Sequence, residues 1–221
     1  MQIANGNYIV IEGNIGAGKT SFCQKIAAEL DAKLILEQFS DNPFLPLFYK
    51  NPERYSFPVE LFFMSERHKQ LQEFLLERDL FQQYTVSDYI FSKTLLFAGQ
   101  NLVGEELRLF QNLFNTLNAS FPKPDLLVYL HRPVDELLEN IKKRNRSYEE
   151  DISGEYLHKI QQAYFEFFRT HQDKLPILLL DVSGLDFMNS EKDYRILKSA
   201  LNFEYGVGLH RKTAAELIIG Q

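Results

Sequence analysis

Tyr8-Ile9-Val10-Ile11-Glu12-Gly13-Asn14-Ile15-Gly16-Ala17-Gly18-Lys19-Thr20-Ser21 passes from an apolar run of strand length into a glycine-rich turn and then into an amphipathic stretch. Its middle satisfies G-x-x-x-x-G-K-[ST], in the strand-turn-helix setting that gives the pattern its meaning. Glycines let backbone N–H groups come close to phosphate oxygens, and the N-terminus of the following helix adds a favourable dipole. Gly13, Asn14, Ile15, Gly16, Ala17, Gly18, Lys19, Thr20 and Ser21 are accordingly read as a cradle for the phosphates of ATP. The Lys19 ammonium reaches the β and γ phosphates, and the Thr20 hydroxyl faces a magnesium ion that bridges them. A plain structural turn has no need of a lysine and a threonine at those two places.

Working outward, further strand-length apolar runs lie at Lys33 to Leu36, Tyr84 to Ser87, Asp125 to Leu130 and Ile177 to Leu180. Between them fall helical patterns near Lys19 to Leu30, Pro52 to Arg78, Tyr89 to Ala98, Glu105 to Asn118, Pro133 to Arg144 and Ser153 to His171. Strands alternating with helices predict a doubly wound, five-stranded parallel sheet with helices on both faces. A run such as Leu126-Leu127-Val128-Tyr129-Leu130 suits a central strand buried on both sides. The 221 residues suffice for one sizeable core and are read as a single domain, 1–221. Asn202 to Gln221 is Gly-rich, then weakly amphipathic, and is assigned no element.

A formal net charge of −6 disfavours general nucleic-acid binding, so an anionic ligand needs a local site. Cys23 is the one cysteine, which leaves no disulfide within the chain and predicts a reducing, cytoplasmic setting. No stretch approaches 18 apolar residues, and Met1 to Gly6 has no basic start before an apolar run; a soluble, untargeted protein without membrane contact is expected.

A P-loop alone does not separate a kinase from a GTPase switch or a mechanical ATPase. Three groups of charged residues favour a kinase. Glu37 follows the second strand at the carboxyl edge of the sheet, where a carboxylate can accept the proton of an acceptor hydroxyl, or merely sit in a solvated loop. Asp88 ends the third strand beside the P-loop, where it holds magnesium with Thr20, or else caps the next helix. Lys142-Lys143-Arg144-Asn145-Arg146 closes a helix ahead of the acidic turn Glu149-Glu150-Asp151, as in an arginine lid that folds over ATP; cations at a helix C-terminus are the plainer reading.

With these residues in view, the chain resembles the deoxynucleoside kinase family over almost its whole length, in particular its bacterial deoxyguanosine/deoxyadenosine kinases. The resemblance rests on Gly13 to Ser21, Glu37, Asp41-Asn42-Pro43-Phe44-Leu45, and Phe48 to Phe57. It continues through Arg67, Arg144-Asn145-Arg146-Ser147-Tyr148-Glu149 and Asp186-Phe187. It implies a homodimer and an ATP-dependent, magnesium-dependent phosphorylation of a deoxynucleoside 5′-hydroxyl. By the same resemblance, Glu37 is the general base steadied by Arg67, and Tyr49 and Glu149 hold the sugar 3′-hydroxyl. Arg144 and Arg146 are the lid arginines, and Asp186 and Phe187 border the adenine of ATP. The chain departs from the family at Ser87-Asp88-Tyr89, where many members carry an Arg after the acid. It departs again at Glu60, where a Gln is common, and at Lys93, where an acid is usual.

The last exchange has a physical reading. A carboxylate accepts only, and the pairing edge of guanine offers two adjacent donors, so Glu60 suits guanine, with Lys93 or Arg67 donating to O6 and N7. Deoxyguanosine is expected first and deoxyadenosine close behind. Phe57, Phe62, Phe63 and Phe91 are candidates for core packing or for stacking on a base, and Phe165, Phe167 and Phe168 for the interior or a dimer contact. A nucleoside monophosphate kinase needs more cations on the acceptor side than Arg67 supplies, and a nucleotide switch needs sensing motifs that are absent from this sequence.

Overall fold

In a computed structural model, residues 3–37, 42–76, 82–118 and 121–219 are described. The expectations placed on Asp41 and on a helix end at Arg78 lie outside them. Six strands form one parallel sheet: β1 Tyr8–Gly13, β2 Lys33–Ile35, β3 Thr85–Ser87, β4 Leu126–His131, β5 Pro176–Asp181 and β6 Gly208–Thr213, in the order β2-β3-β1-β4-β5-β6. The helices are α1 Lys19–Leu30, α2 Leu45–Lys50, α3 Pro52–Leu76, α4 Lys93–Asn101, α5 Gly104–Asn118, α6 Val134–Arg144, α7 Gly154–His171, α8 Glu191–Ser199 and α9 Ala214–Ile219.

Alternation along β1 divides the core. Ile9 and Ile11 turn to one face, with Val128, Leu130, Leu178 and Leu180, and are covered by Phe22 and Ile26 of α1, Leu137 of α6 and Leu197 of α8. Val10 turns to the other face, with Leu127, Tyr129, Ile177 and Leu179, beneath Ile160, Tyr164 and Phe168 of α7. Both faces are therefore covered, as the continuous apolar runs predict. Phe91, Phe110 and Phe114 pack with Met64 and Leu71 in a separate cluster between α3, α4 and α5, so Phe91 is a core residue. Phe168 is buried, whereas Phe165 stands 38% exposed.

The sheet has one strand more than expected. β6, Gly-Leu-His-Arg-Lys-Thr, pairs in register with β5 from Pro176↔Gly208 to Asp181↔Thr213. It lies at the sheet edge, where most of its residues stay partly exposed, so it lacks the unbroken apolar run by which a central strand is recognised. α4 also starts later than expected, at Lys93 rather than Tyr89. Tyr89 instead lies buried and donates its hydroxyl to Gln70 Oε1 at 2.8 Å.

Two glycines of the turn after β1 have left-handed backbone, Gly16 at φ +85° and Gly18 at φ +92°. A Cβ on Gly18 would stand 2.6 Å from Cζ of the buried Phe187 ring. Gly18→Ala is therefore expected to cost about 1–3 kcal/mol of stability, read as a lowered midpoint in urea unfolding. A midpoint equal to wild type would mean that the turn relaxes freely.

Candidate active site

The turn after β1 delivers Lys19 and Thr20 to the first turn of α1, at the carboxyl edge of the sheet. Asn14 fixes the turn: its Nδ2 donates to Leu157 O at 2.8 Å, and its Oδ1 accepts from Ile15 N at 2.9 Å. Lys19 Nζ donates to Asn14 O at 3.0 Å, within the loop that carries it. Burial, with Lys93 nearby, pulls the Lys19 ammonium down to about 8, against the attraction of Glu12, Glu37 and Asp88.

Asp88 comes from the neighbouring strand, β3, and does not cap α4, whose N-cap is Ser92. One carboxylate oxygen accepts from Thr20 Oγ1 at 2.6 Å and the other from the backbone N–H of Glu37 at 2.7 Å. A hydroxyl and one carboxylate beside a phosphate loop form a hard-oxygen donor set that suits magnesium, which keeps waters and takes its remaining ligands from phosphates. Among the described residues no cluster of three or more His, Cys, Asp or Glu that could hold a metal ion is present.

Through that backbone contact Glu37 is tied to Asp88, and its side chain lies between two cations. Arg67 Nε donates to Glu37 Oε1 at 2.8 Å, and Lys93 Nζ to Oε2 at 2.7 Å. Arg67 also donates to Thr94 Oγ1 at 2.9 Å. Burial alone would raise the Glu37 carboxyl, but Arg67 first and then Lys93 hold it well below the usual carboxylate range. Glu37 is therefore ionised throughout the neutral range. Arg67 lies beside Glu37, as the resemblance implies, while Lys93, offered with Arg67 as a donor to a base, bonds Glu37 as well.

Beyond this trio the same cleft is lined by Glu60, Tyr49 and Glu149, with Arg144 and Arg146 from the end of α6. Arg144 Nη2 contacts Glu149 Oε2 at 2.5 Å, and Arg146 Nη1 contacts Oε1 at 3.3 Å. Asn145 ends α6 in left-handed backbone, at φ 52°, and turns the chain into the short helical turn Ser147–Glu149 that brings Glu149 back. The lid arginines and the acidic turn are thus partners in one unit.

Ile15, Gly16, Lys19, Thr20, Glu37, Tyr49, Glu60, Arg67, Asp88, Lys93, Arg144, Arg146 and Glu149 all line this single cleft. Asp186 and Phe187 do not. The Phe187 ring is 2% exposed and packs edge-on to Phe22, 5.8 Å between centroids, beneath Gly18. Asp186 stands at the surface and bonds Asn189 Nδ2 at 3.0 Å. Phe187 thus supports the P-loop from below.

Among the residues in or beside the cleft that escape a reading of the sequence, four are aromatic or polar. Phe97 and Tyr156 line it from α4 and α7, and both look like ordinary core positions on amphipathic helices. Asn101, the last residue of α4, donates to Glu60 Oε1 at 2.6 Å. Glu12 is wholly buried in β1 and accepts from Tyr164 Oη at 2.7 Å and Ile90 N at 3.0 Å. Burial raises its carboxyl, while Lys93 and Lys19 oppose the rise. An acid inside an otherwise apolar strand was the one available signal among the four.

Comparison with known proteins agrees with this geometry. The family model "Deoxynucleoside kinase" matches residues 9–203. A deoxyguanosine kinase of Bacillus subtilis (strain 168) is 31% identical over 193 residues, which span 85% of this chain and 92% of the relative. A deoxyadenosine kinase of Dictyostelium discoideum is 32% identical over 196 residues, 88% of this chain and 79% of the relative. A solved structure of a deoxyadenosine kinase from M. mycoides with bound dATP shares the fold, with a TM-score of 0.75 at 22% identity, covering 88% of this chain and 99% of that one.

Proposed function

The chain belongs to the deoxynucleoside kinase family and is a phosphotransferase; from that premise we propose that it transfers the γ-phosphoryl group of ATP to the 5′-hydroxyl of a purine deoxynucleoside, deoxyguanosine ahead of deoxyadenosine. The observation that carries this reading is the position of Glu37 in one cleft. Its backbone touches Asp88, at the Lys19 and Thr20 end, and its side chain is held by the two cations next to Glu60. An acceptor hydroxyl at Glu37 faces the phosphate cradle, and the rest of its molecule extends toward Glu60.

In this reading Lys19 and the backbone of the P-loop bind the donor phosphates, and Thr20 and Asp88 hold magnesium. Magnesium, when bound, offsets charge on the phosphates. Glu37 accepts the hydrogen bond of the 5′-hydroxyl and orients its lone pair for in-line attack. Arg67 and Lys93 keep that carboxylate ionised and fixed. Tyr49 and Glu149 suit the far hydroxyl of the sugar. Arg144 and Arg146, already turned toward the cleft by Glu149, are placed to meet the transferring group when a nucleotide is bound. The Glu60 carboxylate has one buried oxygen, Oε2, without a hydrogen-bond partner among the described residues, and it suits a donor from the ligand. The guanine edge supplies one.

The test is steady-state phosphorylation of deoxyguanosine, deoxyadenosine, deoxycytidine, thymidine, adenosine and two nucleoside monophosphates with ATP and magnesium. Preference for the two purine deoxynucleosides is expected. Turnover of the monophosphates alone, or ATP hydrolysis independent of any acceptor, would overturn the proposal.

A further inference from the structure

Glu60 is held asymmetrically. Asn101 Nδ2 divides its two hydrogens between Glu60 Oε1, at 2.6 Å, and the Tyr156 hydroxyl oxygen, at 3.3 Å. Glu60 Oε2 is left buried in the cleft, with no hydrogen-bond partner among the described residues. We infer that Asn101 is a specificity-determining, positioning residue: by pinning Oε1 it leaves Oε2 as the single atom that reads the nucleobase, as acceptor when Glu60 is ionised and as donor when it is protonated. This rests on the purine reading above.

The chemistry follows from which oxygen can carry the proton. A carboxylic acid accepts hydrogen bonds best at its carbonyl oxygen, so with Asn101 donating to Oε1 the proton goes to Oε2. Ionised Oε2 accepts from N1–H or the 2-amino group of guanine and faces an unfavourable lone pair at N1 of adenine. Protonated Oε2–H reverses both relations: it donates to adenine N1 and opposes guanine N1–H. One side chain thereby prefers either purine, according to its charge.

That charge lies within reach of neutral pH. Burial pushes the Glu60 carboxyl up to about 7; the hydrogen bond from Asn101 opposes the rise, as does the charge of Arg67, with Glu37 adding to the rise and Lys93 opposing it. The other groups around it keep their charge. Arg67 on α3 and Lys93 on α4 are held above their ordinary values by Glu37, against the effect of their burial, and Glu37 is held far below its own. Tyr156 on α7 is raised, by burial first and then by Glu60, and stays neutral. Tyr49 of α2 is likewise raised by burial, and the Arg144, Arg146 and Glu149 group closes the cleft. Lys19 titrates near 8 at the phosphate end, but it serves both purines equally and cancels from their ratio.

The experiment measures kcat/KM for deoxyadenosine and for deoxyguanosine, from pH 6 to 8.5 at saturating ATP and magnesium, in wild type, Glu60→Gln and Asn101→Leu. In wild type the deoxyadenosine-to-deoxyguanosine ratio is expected to fall by roughly tenfold as pH rises, following one titrating group. In Glu60→Gln the ratio is expected to be flat. In Asn101→Leu the lost hydrogen bond no longer favours the ionised form, so the midpoint moves to higher pH. A flat wild-type ratio, with both purines turned over, overturns the inference and leaves the purine reading intact. An unmoved midpoint in Asn101→Leu removes Asn101 from the role. Failure to phosphorylate either purine overturns the purine reading itself.

Discussion

Glu37→Gln lowers kcat by roughly a hundred- to ten-thousandfold and lowers thermal stability with it. Two losses are superposed. The first, on the proposed function, is the carboxylate that orients the acceptor hydroxyl. The second is the counter-charge of Arg67 and Lys93, whose side chains are 4% and 5% exposed. Breaking a buried ionic arrangement from one side typically costs about 3–5 kcal/mol, because the partner charge stays buried alone. Glu37→Asp separates the two effects. It keeps the negative charge and recovers most of the melting temperature, but its shorter reach leaves kcat depressed. Melting curves and steady-state rates of both variants make the check, and a folded Glu37→Gln enzyme with near-normal kcat would remove Glu37 from the base role.

A carboxyl held so far below its usual range is a weak base, yet this does not count against it. Phosphoryl transfer passes through a loose transition state with little bonding to the nucleophile, so the hydroxyl loses its proton late, when it has become far more acidic. What is required early is an ionised acceptor in a fixed place. The two cations secure that.

The parts of the molecule that were legible in the sequence are those where one residue type answers one physical demand. Left-handed turns need Gly16 and Gly18, and strands buried on both faces need runs such as Leu126 to Leu130. The lysine and threonine after Gly18 have no purely structural reason to be there. From these the parallel sheet, the glycine turn after β1 and the placing of Glu37 and Asp88 at one sheet edge follow. Where the demand is weaker the sequence is silent. β6 lies at an edge and shows no continuous apolar run, and Asn101 resembles any polar residue at a helix end. Asp186 and Phe187 carried an expectation through resemblance alone, and Phe187 proves to be packing beneath the P-loop. Arg67 was expected beside Glu37 through the resemblance, but that Lys93 serves Glu37 as well depends on distances between elements far apart in the chain.

Lys19→Met lowers kcat/KM for ATP by roughly a hundred- to a thousandfold, while raising the melting temperature of the ligand-free protein. The two signs have one cause. With no nucleotide bound, the Lys19 ammonium is buried beside the Lys93 cation, and the charged form is disfavoured despite three carboxylates in the neighbourhood. Methionine has a similar length and no charge to desolvate. The hydrogen bond lost, from Nζ to Asn14 O, leaves that carbonyl with a second donor, Ala17 N at 3.2 Å, so this acceptor is not orphaned. When phosphates bind the balance inverts, because the ammonium then meets their negative charge. Wild-type protein should therefore gain melting temperature on adding ATP and magnesium, by ordinary mass action, and Lys19→Met should lose most of that gain. Thermal unfolding of both proteins, with and without nucleotide, makes the comparison. If the ligand-free variant melts lower while its rate and its nucleotide-induced shift persist, Lys19 is a structural cation and the phosphate cradle has been assigned to the wrong residue.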